Sequence, residues 1–130
     1  MTTGYVPAAM EDRIRFIEHQ GKRILLIDVS HCSANELAKI AQVVPSYVQS
    51  EPLGSVLLLA DFTGAEFDRI AIDRLKESAV FDRPHLKQSA WVGIEKLPKV
   101  FYEHIKSFSR RELPTFKTRE EAMQWLVEQE

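Results

Sequence analysis

Two aspartates stand where apolar runs end, Asp28 after Ile24-Leu25-Leu26-Ile27 and Asp61 after Leu57-Leu58-Leu59-Ala60. Each is followed by side chains that can donate, accept or attack: Ser30, His31, Cys32 and Ser33 after the first, Phe62-Thr63-Gly64 after the second. A third run, Leu86–Val92, closes on Gly93-Ile94-Glu95. If the three runs lie in one parallel sheet, these ends share an edge where backbone N–H groups and helix N-termini converge on ligands. Two carboxylates, an imidazole, a thiol and several hydroxyls would then meet.

His31-Cys32 sets a base beside a nucleophile, but adjacent residues rarely point at one another and no third residue to orient the pair is identifiable. A metal held by His31, Cys32 and an aspartate would mix hard and soft ligands with no recurrent spacing. G-x-G-x-x-G, a Walker lysine and G-x-S-x-G do not occur, so nucleotide hydrolysis and serine-hydrolase chemistry lose their usual support. The plainer role of Asp28 and Asp61 is to accept from loop N–H groups, as short acidic residues do at turns. We expect no catalytic residue, metal or cofactor, with an enzyme at the Asp28/His31/Cys32/Asp61 edge kept as the last alternative. Asp28, Ser30, His31, Asp61, Phe62, Thr63, Gly64, Phe67 and Trp91 are the candidates for contact with a ligand or partner.

The aromatic candidates have two readings each. Phe62 and Phe67, flanking Gly64, either anchor a loop or offer an exposed apolar contact. Trp91 either closes the sheet or lines a cavity that would take an apolar ligand. Phe101, Phe108 and Trp125 read as core residues, each worth roughly 1.5–3 kcal/mol when fully buried.

The elements that must position these groups follow from periodicity and caps. Ile14–His19 and Arg23–Val29, split by Gln20-Gly21, read as a hairpin. The second of these runs is apolar on both faces, which suits an interior strand covered above and below. Ser33-Ala34-Asn35-Glu36 matches a capping box, and Leu37, Ile40, Ala41, Val44 and Val48 continue at helical spacing, with Pro45 expected to interrupt or kink the helix. Ser55–Ala60 is a second buried strand, and a helix is expected from about Asp68 to Val80 with Ile72, Leu75 and Ala79 on one face. Asp82-Arg83-Pro84 breaks it. Leu86–Val92 is a strand, Pro98 opens a helix carrying Phe101, His104, Ile105 and Phe108, and Glu112–Phe116 is a short strand. Thr118-Arg119-Glu120-Glu121 is a second capping box before Ala122, Trp125 and Leu126. Such alternation predicts an α/β fold: a mixed sheet of four to five strands, the first antiparallel and the rest mainly parallel, with four helices.

At 130 residues, 45% hydrophobic and 28% charged, the chain suits one domain over 1–130, with residues 1–12 a loosely ordered lead. A net charge of −2 calls for no nucleic-acid partner, and no apolar run approaches the ~18 residues of a membrane span. A single cysteine, Cys32, and the absence of signal-peptide order at Met1–Met10 point to the cytoplasm. Charge is uneven: residues 82–117 carry 8 basic and 4 acidic side chains, with Lys96, Lys99, Lys106, Arg110 and Arg111 around the third helix. That excess is small enough to read as a solvated helix face.

Gly21-Lys22-Arg23-Ile24-Leu25-Leu26-Ile27-Asp28, Leu57-Leu58-Leu59-Ala60-Asp61-Phe62-Thr63-Gly64, Ala90-Trp91-Val92-Gly93 and the tail Phe116–Leu126 together resemble the SpoIIAA-like branch of the STAS superfamily. The resemblance spans roughly Ile14 to Val127 and rests on strand and cap patterns. It implies a non-enzymatic regulatory module that binds a protein partner, here through the Asp61–Asp68 turn and the following helix. Some members of that superfamily switch partners through a phosphorylated serine after an aspartate. Asp68 falls on that aspartate, but Arg69 and Ile70 occupy the serine positions, which argues against the switch. The similar CRAL-TRIO layout holds lipids, so a small lipid or apolar ligand near Trp91 and the third helix is the first alternative. Edge strands need cover, and a homodimer is one way to supply it.

Overall fold

The computed structural model describes residues 12–110 and 112–128. The proposed lead thus falls, but for residue 12, outside the described residues, as does Arg111. The chain folds as β1 (Ile14–His19), β2 (Lys22–Asp28), α1 (Ala34–Val48), β3 (Val56–Asp61), α2 (Arg69–Asp82), β4 (Leu86–Val92), α3 (Lys99–Ser109), β5 (Thr115–Phe116) and α4 (Arg119–Val127), with a short 3-10 turn at Arg83–His85. The strands lie side by side in chain order, β1 antiparallel to β2 and every later pair parallel. This is the expected α/β fold, with five strands and, among the described residues, four helices.

Local chemistry sets the elements. Gln20 and Gly21 both take positive φ, 52° and 81°, the mirror-image turn whose twist matches a two-residue hairpin. Ser33 Oγ accepts from the Glu36 N–H at 3.1 Å while Glu36 Oε1 accepts from the Ser33 N–H at 2.9 Å, completing the capping box. The second box forms only by half. Thr118 Oγ1 accepts from the Glu121 N–H, but Glu121 turns back one residue further and accepts from the Lys117 N–H. Pro45 does not interrupt α1, which runs from Ala34 to Val48. Val44 and Val48, buried on either side of it, hold the helix against the core and outweigh one missing intrahelical bond.

Strand parity then divides the core. Leu25, Ile27, Leu58, Ala60 and Trp91 face α1, α2 and α3, since consecutive right-handed crossovers in one direction place those helices on one side. Ile24, Leu26, Leu57, Leu59, Ala90 and Val92 face the other side, covered by Ala122, Leu126 and Val127 of α4. β2 and β3 are apolar on both faces because both faces are covered. Phe108 departs from expectation. It is 58% exposed, while Phe101 and Trp125 are half-buried against the two cores. α3 ends the three-helix layer and packs within it mainly on α2, so part of its apolar stripe meets solvent; the Lys76 ammonium lies 5.5 Å over the Phe108 ring.

Candidate functional site

Register brings Asp28 opposite Asp61, and Asp61 opposite Val92, so the three parallel strands exit on one rim. Both aspartates share parity with Ile24, Leu26, Leu57 and Leu59, which directs their carboxylates to the α4 side. There they meet Arg119, the first residue of α4. Its Nε donates to Asp61 Oδ2 at 2.6 Å and its Nη2 lies 3.1 Å from Asp28 Oδ2. The remaining oxygens close their own loops. Asp28 Oδ1 accepts from the Ser30 N–H (3.1 Å) and Oγ–H (2.5 Å), and Asp61 Oδ1 from the Thr63 N–H (3.0 Å) and Oγ1–H (2.7 Å). Arg13 adds donors to the Asp28 and Ser30 carbonyls at 3.2 and 2.9 Å.

Partial burial pushes the Asp28 carboxyl up, but the Ser30 hydrogen bonds and the Arg119 charge outweigh it and hold the group below its usual value. Burial acts on Arg119 in the opposite sense and is overcome by the Asp61 hydrogen bond and by the charges of Asp28 and Asp61, so the guanidinium stays charged. Asp28 is therefore held ionised, and both aspartates are engaged by Arg119. Each aspartate closes its own loop with one oxygen and meets Arg119 with the other.

His31 and Cys32 do not join them. Cys32 lies in the three-helix core, 2% exposed, where burial raises its thiol pKa and keeps it protonated. His31 is exposed with φ 59°, and its ring lies against Gly64, where an added Cβ would come within 2.4 Å of Nδ1. Among the described residues, no group of three or more His, Cys, Asp or Glu could hold a metal ion.

The rim loops are stapled to each other. The His31 N–H donates to the Thr63 carbonyl at 2.8 Å, the Glu66 N–H to the Cys32 carbonyl at 3.0 Å, and the Phe62 N–H to the Val92 carbonyl at 2.8 Å. Gly93, at φ 71°, sits so close to the Thr63 backbone that a Cβ would meet it at 2.6 Å. Phe62 is 2% exposed, its ring 4.7 Å from Trp91 and 5.8 Å from Phe67. Of the two readings for Phe62, the structure takes the anchored loop: the expected apolar contact with a partner cannot come from a ring so buried. Phe67 is half-buried, and Thr63, Glu66, Asp68, Arg69 and Ile70 remain exposed, Ile70 at 59%. Asp68 caps α2, accepting from the Ala71 N–H at 2.8 Å, and Arg69 and Ile70 form its exposed first turn. The basic residues near α3 are partly offset: Lys96 pairs with Glu66 at 2.9 Å and Lys106 with Glu103 at 3.7 Å.

A second feature lies inside. Between the sheet and helices α1 and α2 is a cavity of about 60 Å³, several times the ~10–15 Å³ that one water requires. Trp91 lines it, together with Phe62, Leu58, Ile40, Val44 and Leu75. No α3 residue does, so the space expected near the third helix lies instead under the first two. The lining is apolar except for Ser78, Asp82 and Ser89.

Arg119 and Asp82 were not legible as site residues. Arg119 reads as a helix-start residue inside a cap motif and Asp82 as part of a helix breaker. The matching spacings Asp28-Val29-Ser30 and Asp61-Phe62-Thr63 hinted at paired loop closures. Leu75, Ser78, Ala79 and Asp82 at i, i+3, i+4 and i+7 placed two polar groups on the buried stripe of α2. Scanned against family models the chain matches none, and no curated protein or solved structure matches it significantly.

Proposed function

We propose that the protein is a non-enzymatic binding module of STAS type that acts in the cytoplasm, contacting a protein partner through the turn Asp61–Asp68 and the first turn of α2. The observation that carries this reading is the stapled rim with Ile70 exposed among Thr63, Glu66, Asp68 and Arg69. A loop anchored by Phe62 and tied to both neighbouring strand exits loses little freedom on association, so a contact there does not spend its free energy on ordering the loop. The engaged state of Asp28 and Asp61 supports binding over catalysis. No described helix is long and apolar enough to cross a membrane.

Capture from native lysate with wild type and with Ile70→Asp tests the reading. One prey held by wild type and lost by Ile70→Asp, with unchanged thermal unfolding, is the expected outcome. Prey unaffected by Ile70→Asp and by Thr63→Arg would move the contact away from this rim. Phe62 is unsuitable for the test because substituting it would open the core. The cavity beneath α1 and α2 favours a second reading, a site for a small apolar ligand.

A further inference from the structure

The cavity is not uniformly apolar, and its polar groups are not satisfied by the protein. Asp82, 4% exposed at the last turn of α2, receives the Ser78 hydroxyl on Oδ2 at 3.0 Å, while its Oδ1 has no hydrogen-bond partner among the described residues. Ser89, 2% exposed, has an Oγ equally without a partner. Ser89 pairs in register with Leu58 and shares parity with Trp91, so it stands on the three-helix face of β4 under the same space. A buried polar atom left without a partner carries the full cost of its desolvation with nothing to offset it. Two of them lining one apolar space of about 60 Å³ call for a guest with a complementary head.

We propose that this cavity binds a small apolar molecule carrying one hydrogen-bond-donating head, a hydroxyl or an amine, with the head placed at Asp82 Oδ1 and Ser89 Oγ and the body against Ile40, Val44, Leu58 and Leu75. The proposal rests on the apolar-ligand reading and adds the head group to it. An alcohol O–H donates to Asp82 Oδ1, which accepts as the carbonyl oxygen of a neutral carboxyl as well as in the ionised form, and accepts from the serine hydroxyl; an amine donates to both. A wholly apolar guest would leave both polar atoms unpaired, and a longer polar guest would meet only aliphatic walls.

The test is titration of the ¹³C-methyl-labelled chain with ethanol, ethylamine and propane, three-heavy-atom probes matched to a space of about 60 Å³ that share an ethyl group and differ at the terminal group. Methyl shifts of Ile40, Val44, Leu58 and Leu75 report occupancy. An apolar cavity without polar demands would favour propane, the probe least at ease in water. The expected result is that ethanol or ethylamine binds at least as tightly as propane, and that Ser89→Ala shifts the ratio by roughly tenfold toward propane. Whichever of the two polar probes binds tighter assigns the head as hydroxyl or amine. Propane preferred by wild type, with the same ratio in Ser89→Ala, overturns the head-group assignment and leaves the apolar site standing. No methyl shift with any probe overturns both. Ser89→Ala removes only an unpartnered hydroxyl and retains the fold, and Asp82→Asn, which keeps an acceptor for Ser78, provides the second variant.

Discussion

Asp82 gives the most incisive test of how this core is built, through Asp82→Asn followed over pH. Burial raises its pKa from 3.8 to about 7, against the lowering effects of the Ser78 hydrogen bond and the His85 charge. At ~1.4 kcal/mol per unit, ionising this carboxyl inside the fold is about 4 kcal/mol harder than in the unfolded chain. The folded state therefore holds a proton that the unfolded state has released between pH 3.8 and about 7. Stability from this group is full below the lower value and is lost as pH rises through the upper one. From pH 5 to pH 8 the wild type should lose about 2–3 kcal/mol through Asp82 alone. Asn is neutral throughout, keeps an acceptor for Ser78, and carries no such loss. Urea unfolding at pH 5 and pH 8, read by fluorescence of buried Trp91, measures both proteins. The variant should gain about 2–3 kcal/mol on the wild type between the two pH values, a midpoint change of roughly 1–2 M urea. A wild-type-to-variant difference that stays constant from pH 5 to pH 8 would refute the claim that burial keeps Asp82 protonated.

Three further outcomes follow from the packing. Arg119→Met removes the ion pair from Asp61, whose side chain is 7% exposed, while Asp28 keeps Arg13 at 3.7 Å, and should cost about 2–4 kcal/mol in denaturant unfolding. Asp28 contributes stability above its usual pKa of 3.8 and loses it as pH falls through its depressed value, so Arg119→Met should also unfold at a higher pH during acid titration. Gly93→Ala forces a Cβ to 2.6 Å from the Thr63 backbone and should destabilise by more than 2 kcal/mol, whereas Gly54→Ala, at φ 66° in open space, should cost only about 1 kcal/mol; equal melting-temperature shifts would remove the close approach as the reason for Gly93. Phe62→Ala should cost about 3–5 kcal/mol and Phe108→Ala under about 1 kcal/mol, a contrast that urea midpoints resolve directly.

Residue order alone determined much of this protein. Alternation of strand and helix patterns specified the α/β class, Ser33 and Glu36 specified where α1 begins, Gln20-Gly21 specified the hairpin, and the apolar runs around Leu26 and Leu58 specified two covered strands. These signals are local: a cap, a turn or a period is written within a few residues, and its physics needs no distant neighbour. The shared rim of strand exits was also legible, because parallel strands joined by helices must exit together. What the tertiary structure alone decided depends on which segments cover which. Arg119 reaches Asp61 across 58 positions, a contact no spacing rule contains. Phe108 and Phe62 are alike by type, yet one lies at the open end of a helix layer and the other under Trp91. Asp82, written like a helix stop, is buried because α2 lies over the sheet at that turn, and its unpaired oxygen exists only where three elements enclose a space none of them forms alone.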